Sequence, residues 1–333
     1  MRSSDVRAAA LALASALFVG VWSTPAEAQQ QAQGFDLERV YTSAPGAGWF
    51  VMDTLDMHGG LGGAASVVAS YARNPLRVSD GSKTLPVVSD EAFMELGLSA
   101  TYDRFRLYVT FDSPIAVEGS GGTIGGYTYP VTSVDLASSP DAITHARFGL
   151  DARLLGGSGD AFRLGLGAQL WIPGGAPGAL QGNYLSDGPP SQTFGAYNAM
   201  ARVLFAGDVG AFTYAGQVGF NLRGLDEAPQ PESPAGSEVL FGLAGGLRFA
   251  ACATCAMDVV LGPEIFGETA IRSFFGTQTT GVEALFTSRF EGTSEGKPQL
   301  RVKLGAGGGL DPHFGAPEAR FVLGVELFER ASQ

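Results

Sequence analysis

Between His58 and Arg330 one pattern recurs along the chain: ten to fifteen residues in which apolar side chains alternate with polar, charged or glycine residues. In Phe162–Ile172 every even position is apolar, while the odd positions include Arg163 and Gln169. A helix would scatter these charges around its circumference, whereas a strand gathers them on one face. Only helices and closed barrels satisfy every backbone N–H and C=O inside a bilayer. A chain built from such strands is therefore expected to form an all-β, closed antiparallel transmembrane barrel, with lipid outside and water or polar side chains inside.

The pattern predicts twelve strands: His58–Ala72, Asp90–Thr101, Asp103–Asp112, Ile143–Leu155, Asp160–Ile172, Phe194–Ala206, Val209–Arg223, Ser237–Ala250, Met257–Ala270, Thr279–Glu291, Pro298–Leu310 and Pro317–Glu329. Their connections alternate long (73–89, 113–142, 173–193) and short (Tyr102, 156–159, Gly207-Asp208). Short periplasmic turns and longer external loops produce this alternation, and an even strand number returns both ends of the barrel to the periplasm. Segments 113–142 and 173–193 are thus expected outside the cell, and the turns 156–159 and 251–256 on the periplasmic side.

The first 28 residues read as an export signal. Arg2 and Arg7 precede the apolar run Ala8–Trp22, and Ala26-Glu27-Ala28 offers the small-x-small pattern that signal peptidase cuts. No later stretch reaches the roughly 20 apolar residues of a membrane-spanning helix. The expected location is the outer membrane of a Gram-negative bacterium, with outer-membrane lipid and the barrel-assembly machinery as partners. Residues 29–56 alternate poorly and contain Pro45, Trp49 and Phe50. They are expected as a periplasmic N-terminal segment that covers or enters the barrel mouth, followed by the barrel at 57–330 and a tail at 331–333.

Forty-eight glycines and 18 prolines argue against a helix-rich chain, and 45% apolar with only 16% charged residues excludes a disordered one. Glycine recurs inside the alternating segments, as at Gly165/Gly167 and Gly305/Gly307/Gly309, where it is expected to relieve crowding in a curved sheet. The period of two assigns lumen-facing charges to Arg104, Arg106, Arg147, Asp151, Arg153, Arg163, Arg202, Glu264, Glu268, Glu283, Arg289, Arg301, Lys303, Glu318, Arg320 and Glu326. Glu91, Glu95, Arg223, Glu238, Arg248 and Asp258 join them. This set is close to neutral although the whole chain carries −12, so the acidic excess lies in loops such as Asp226-Glu227 and Glu232. Acidic loops give no support to nucleic-acid binding. A mixed-sign lumen is compatible with ion pairs that close it or with charged arcs that line a selective pore.

Enzyme, metal and cofactor signatures are nearly absent. Gly292-Thr293-Ser294-Glu295-Gly296 matches the nucleophile-elbow pattern, but it joins two alternating strands instead of a strand and a helix, so it reads as a hairpin turn. His58, His145 and His313 lack metal-ligand spacing. Cys252 and Cys255 form C-x-x-C in a short turn, where export to an oxidising compartment makes a mutual disulfide the expectation.

The chain resembles the barrel half of OmpA-family outer-membrane proteins of the myxobacterial type. The residues that carry the likeness are Gly34–Val40, Gly48-Trp49-Phe50-Val51, Ser70–Leu76 and Gly309–Phe321. The resemblance implies fold and location, and the peptidoglycan-binding domain common in that family has no counterpart before Gln333. A weaker similarity to the transporter barrels of aromatic-degradation pathways implies uptake of small hydrophobic molecules. The expected function is a passive pore or small-molecule uptake channel without catalytic activity, conducting weakly. The alternative is a structural barrel with a closed lumen that presents external loops. Oligomeric state is left open.

Overall fold

A computed structural model describes residues 39–57, 59–129, 131, 133–135, 145–173, 198–223, 236–252, 254–277, 279–294, 297–311 and 315–329, with Gln30–Gln31 as backbone. The expected export signal at 1–28, and the loop residues Asp226, Glu227 and Glu232, lie outside these residues. Twelve long strands form the barrel: β1 Leu61–Ser79, β2 Thr84–Tyr102, β3 Phe105–Glu118, β4 His145–Leu155, β5 Arg163–Pro173, β6 Asn198–Val209, β7 Phe212–Arg223, β8 Glu238–Ala250, β9 Met257–Ala270, β10 Thr280–Gly292, β11 Pro298–Asp311 and β12 Ala319–Glu329. Each pairs antiparallel with its neighbour in sequence. Antiparallel pairing of β12 with β1 closes the ring.

The alternation places the side chains as the period of two requires. Val325, Val67, Leu96 and Phe111 lie in one cross-strand row and all face outward, 40–45% exposed. Leu150, Leu166, Val218, Leu243, Phe286 and Leu304 continue this apolar exterior around the ring. So large a contiguous apolar surface is not stable in water and matches the lipid-facing band of an outer-membrane barrel. The chain is a closed twelve-strand barrel of the Gram-negative outer membrane.

The expected loop 73–89 is largely strand. Pro75 interrupts the alternation in sequence, yet the ladder survives: its register shifts between Arg73 and Leu76, with Asn74 at φ 50°, and pairing resumes as far as Ser79 and Thr84. A bulge absorbs the misfit without ending the strand. The β2–β3 turn is Asp103-Arg104 instead of Tyr102 alone, with Asp103 at φ 52°. The long connection after β3 contains the short strands Gly122–Ile124, Tyr127–Tyr129 and Ser133–Asp135. Tyr127-Thr128 pairs in parallel with Gln30-Gln31. Val87, Ile124 and Tyr129 are buried together there, with Leu76, Val78 and Leu85 packed against them.

Candidate functional site: a segment threaded through the lumen

Residues 39–57 belong to no barrel strand, and they run inside the barrel from one end to the other. Arg39 lies at the end with long connections, ion-paired to Glu238 at the start of β8 (2.7 Å) and to Glu268 near the end of β9. Asp56 lies at the end with short turns, hydrogen-bonded to Ser158. Between them Ala44, Ala47, Trp49, Met52, Asp53 and Leu55 have no exposed surface, nor does Met57 just beyond. The segment does not stop at a mouth; it fills the lumen.

A buried irregular chain must satisfy its own backbone. Part of this is internal: Ser43 N–H donates to Phe50 O (2.7 Å), Thr54 N–H to Ala47 O (2.9 Å), and Gly48 bridges Asp53. Gly46 and Gly48, at φ 84° and 106°, allow the tight reversals between them. The barrel wall adds further partners through side chains. Glu264 accepts the N–H groups of Phe50 and Val51 (3.0 and 2.9 Å), Lys303 donates to Trp49 O (3.2 Å), Arg147 to Thr42 O (2.6 Å) and Arg153 to Leu55 O (3.2 Å). Asp53 is ion-paired with Arg106 and accepts the Leu55 N–H at 2.7 Å.

Packing is equally specific, because inward-facing glycines of the wall receive the segment's side chains. A Cβ on Gly242 would lie 2.0 Å from Met52, one on Gly246 2.8 Å from Trp49, and one on Gly97 2.6 Å from Pro45. Gly165 faces Leu55 at 2.8 Å, and Gly305 and Gly324 face Phe50 at 2.9 and 3.1 Å. The guanidinium of Arg289 lies 5.2 Å from the Trp49 ring centre, and the Lys303 ammonium 5.1 Å from that of Phe50. Of the glycines expected to relieve crowding, Gly165 and Gly305 thus form sockets for Leu55 and Phe50, while Gly167 faces Asp151 and Arg202 of the wall.

Most of the charges assigned to the lumen from sequence are buried inside the barrel. Asp151 and Arg202 pair at 2.8 Å, Arg147 and Glu95 at 2.8 Å, Arg163 and Asp208 at 2.6 Å, and Arg320 and Glu283 at 2.9 Å. Glu291 takes Arg289 at 3.2 Å and Arg301 at 2.9 Å, while Glu326 takes Arg301 at 2.8 Å and Lys303 at 2.7 Å. Arg248 connects this group to Asp208 at 3.5 Å, so a belt of ion pairs crosses from β5 to β12 near the short-turn end.

Two assignments are corrected. Arg104 is exposed in the β2–β3 turn. Glu318 is exposed just before β12, pairing with Arg77 at 2.5 Å and Asn74 at 3.0 Å. Both lie beyond the ladder, where the period of two no longer fixes direction. Sequence reasoning missed Glu291, whose parity matches Glu283 and Arg289. It also missed Arg39 and Asp53, which lie in a segment with no period to read. Arg223 is described as backbone only. His58, His313, Glu295 and Gly296 lie outside the described residues, and the side chain of His145 does too. Among the described residues no group of His, Cys, Asp or Glu is arranged to hold a metal ion. Cys252 and Cys255 are joined by a disulfide in the β8–β9 turn.

No protein-family model and no curated protein matches the chain. Among solved structures, an outer membrane channel from Pseudomonas putida F1 is similar at 13% identity and a TM-score of 0.48, covering 82% of this chain and 97% of that one. The CymD monoaromatic hydrocarbon channel is similar at 10% identity and a TM-score of 0.42, covering 84% and 90%. LpxR from Salmonella typhimurium is similar at 10% identity and a TM-score of 0.37, covering 79% and 99%.

Proposed function

We propose that this protein is a passive outer-membrane channel for small solutes that rests closed, with residues 39–57 as its removable stopper. The observation that carries the reading is the fit between wall and segment: glycine sockets on β2, β5, β8, β11 and β12 receive Pro45, Leu55, Met52, Trp49 and Phe50. A barrel meant only to be solid can be filled by its own inward side chains. Here the wall withholds side chains and a separate segment occupies the space. The segment is covalently continuous with β1 but adds no strand to the ring, so its departure leaves the sheet intact.

The wall chemistry agrees with this reading. Buried ion pairs contribute little stability beyond what apolar packing would give. A lumen lined by Arg106, Arg147, Asp151, Arg202, Glu264, Arg301 and Lys303 is therefore better accounted for as a surface that meets water when the stopper leaves. The reading assigns no catalytic step to the barrel. The resemblance to OmpA-family barrels belongs to the same proposal: two of its motifs, Gly34–Val40 and Gly48–Val51, reach into or lie within the stopper.

A closed structural barrel is the second reading, favoured by how completely the belt from Arg163 to Lys303 is paired. Planar-bilayer recording separates the two. Wild type is expected to be silent or to open rarely, and a variant lacking residues 39–56 to conduct in steady steps. If the shortened barrel migrates as folded on heat-modifiability gels and still passes no current, the channel reading fails.

A further inference from the structure

Asp53 is a carboxylate carried on a removable segment and held by a buried arginine of the wall. Its Oδ2 meets the guanidinium of Arg106, and both residues are at most 1% exposed. Arg106 keeps one donor unused: its Nε is buried without a hydrogen-bond partner. An arginine fork offers two parallel donors to one carboxylate, so this contact leaves part of its capacity unfilled.

Arg106 also borders a cleft, which it lines together with Asp56, Ser99, Thr101 and Arg301. The strand ends that border the cleft, Gly63 of β1, Thr101 of β2 and Glu329 of β12, place its opening at the short-turn end of the barrel. Its enclosed part has room for little more than a water-sized body, which limits any occupant to a few heavy atoms. Of the two arginines that line the cleft, Arg301 is already held by Glu291 and Glu326 (2.9 and 2.8 Å), so Arg106, whose carboxylate partner is Asp53, defines the chemistry of a competitor.

Resting on the stopper reading above, we propose that Arg106 is the centre of a binding site for a small aliphatic carboxylate, entered from the short-turn end, and that Asp53 is the internal occupant it displaces. A carboxylate that pairs with Arg106 leaves Asp53 buried without its cation, a cost that drives the segment out of the lumen. Leu55 moves with Asp53, because its N–H is bonded to the Asp53 Oδ1 (2.7 Å). Gly165 then loses the side chain in its socket. The ligand binds the open form better than the closed one, and this difference is what shifts the population.

The stopper carries its own reporter. Trp49 is fully buried, so its departure shifts its emission to the red and raises its quenching by acrylamide. The experiment uses the exported protein in detergent or vesicles, with Trp171→Phe leaving Trp49 as the reporter. Sodium acetate is titrated against sodium chloride at equal ionic strength. Acetate is expected to produce a saturable red shift and a rise in quenching that chloride does not. Asp53→Asn is expected to show the red-shifted state before any acetate is added; Arg106→Gln, which strips Asp53 of the same cation, is expected to start red-shifted as well and to lose the acetate response. Equal effects of acetate and chloride, or a response that survives Arg106→Gln in a barrel of normal heat-modifiability, would overturn the proposal. Acetate-dependent movement of Trp49 without conductance would sink the channel reading and leave the site standing; conductance indifferent to acetate would do the reverse.

Discussion

Met52 occupies the space that a side chain on Gly242 would need: a Cβ built on that glycine lies 2.0 Å from the Met52 Cε. The contact ties an inward glycine of β8 to the thioether that enters its socket. Gly242→Val is therefore expected to expel the segment and leave the ladder pairing of β8 unchanged. Overpacking of this kind costs about 1–3 kcal/mol. In bilayers the variant should conduct where wild type is closed, and adding Met52→Ala should restore closure. A double variant as open as Gly242→Val alone would show that the socket is not what holds the stopper.

Arg39→Gln leaves Glu238 and Glu268 facing one another without the cation between them. Removing one partner from a buried ionic group costs about 3–5 kcal/mol. The expected result is early release of the segment at the long-connection end, read as faster proteolysis within residues 39–57 of folded barrels. Lys303→Gln should have the milder effect, since Glu326 keeps Arg301 at 2.8 Å. Equal proteolysis in all three proteins would refute the clasp.

The period of two carried the fold: which strands exist, which side faces lipid and which way most of the strand charges turn were legible. Glu291 was legible by the same parity. Arg104 and Glu318 were not, because each lies one step past the ladder that fixes direction. The stopper was hidden for a different reason. Residues 39–57 have neither helical nor strand period, and their order comes from tertiary contacts with at least nine different strands. The signal that could have revealed them is the set of inward glycines: Gly97, Gly165, Gly242 and Gly305 leave holes that some other part of the chain has to fill. The bulge at Arg73–Leu76 escaped because Pro75 looks like a strand end when in fact the ladder steps around it.

Glu318 titrates below the ordinary glutamate value of 4.5, chiefly because the Asn74 side chain donates to its carboxylate, with Arg77 adding to the effect. A carboxyl depressed in the folded state contributes stability above its unfolded value, and that contribution is lost as pH falls through the folded value. The contact between this loop and β1 should therefore persist at mildly acidic pH and loosen only below 4.5. Carbon-13 NMR of labelled glutamate should find the depressed midpoint, moving up in Asn74→Ala. An unchanged midpoint in that variant would remove Asn74 as the main cause.

Ser120 and Ser158 lie at opposite ends of the barrel, in the connection after β3 and the turn after β4. Each changed to Cys in a Cys252→Ser/Cys255→Ser background, Ser120 should label with a membrane-impermeant maleimide on intact cells and Ser158 should not. The background itself should keep heat-modifiable migration, since a bridge closing so short a loop removes little unfolded-state entropy. Labelling of Ser158 alone would invert the orientation.

The claim that residues 39–57 close the lumen is tested most directly by fixing them there. A Cβ on Gly97 lies 2.6 Å from the Pro45 ring, close enough for Pro45→Cys and Gly97→Cys to form a disulfide in the cysteine-free background. Conductance is then recorded from the same bilayer before and after reduction. The cross-link should form in folded barrels and keep them silent, with openings appearing only once it is reduced; steady current through the cross-linked barrel would contradict the account.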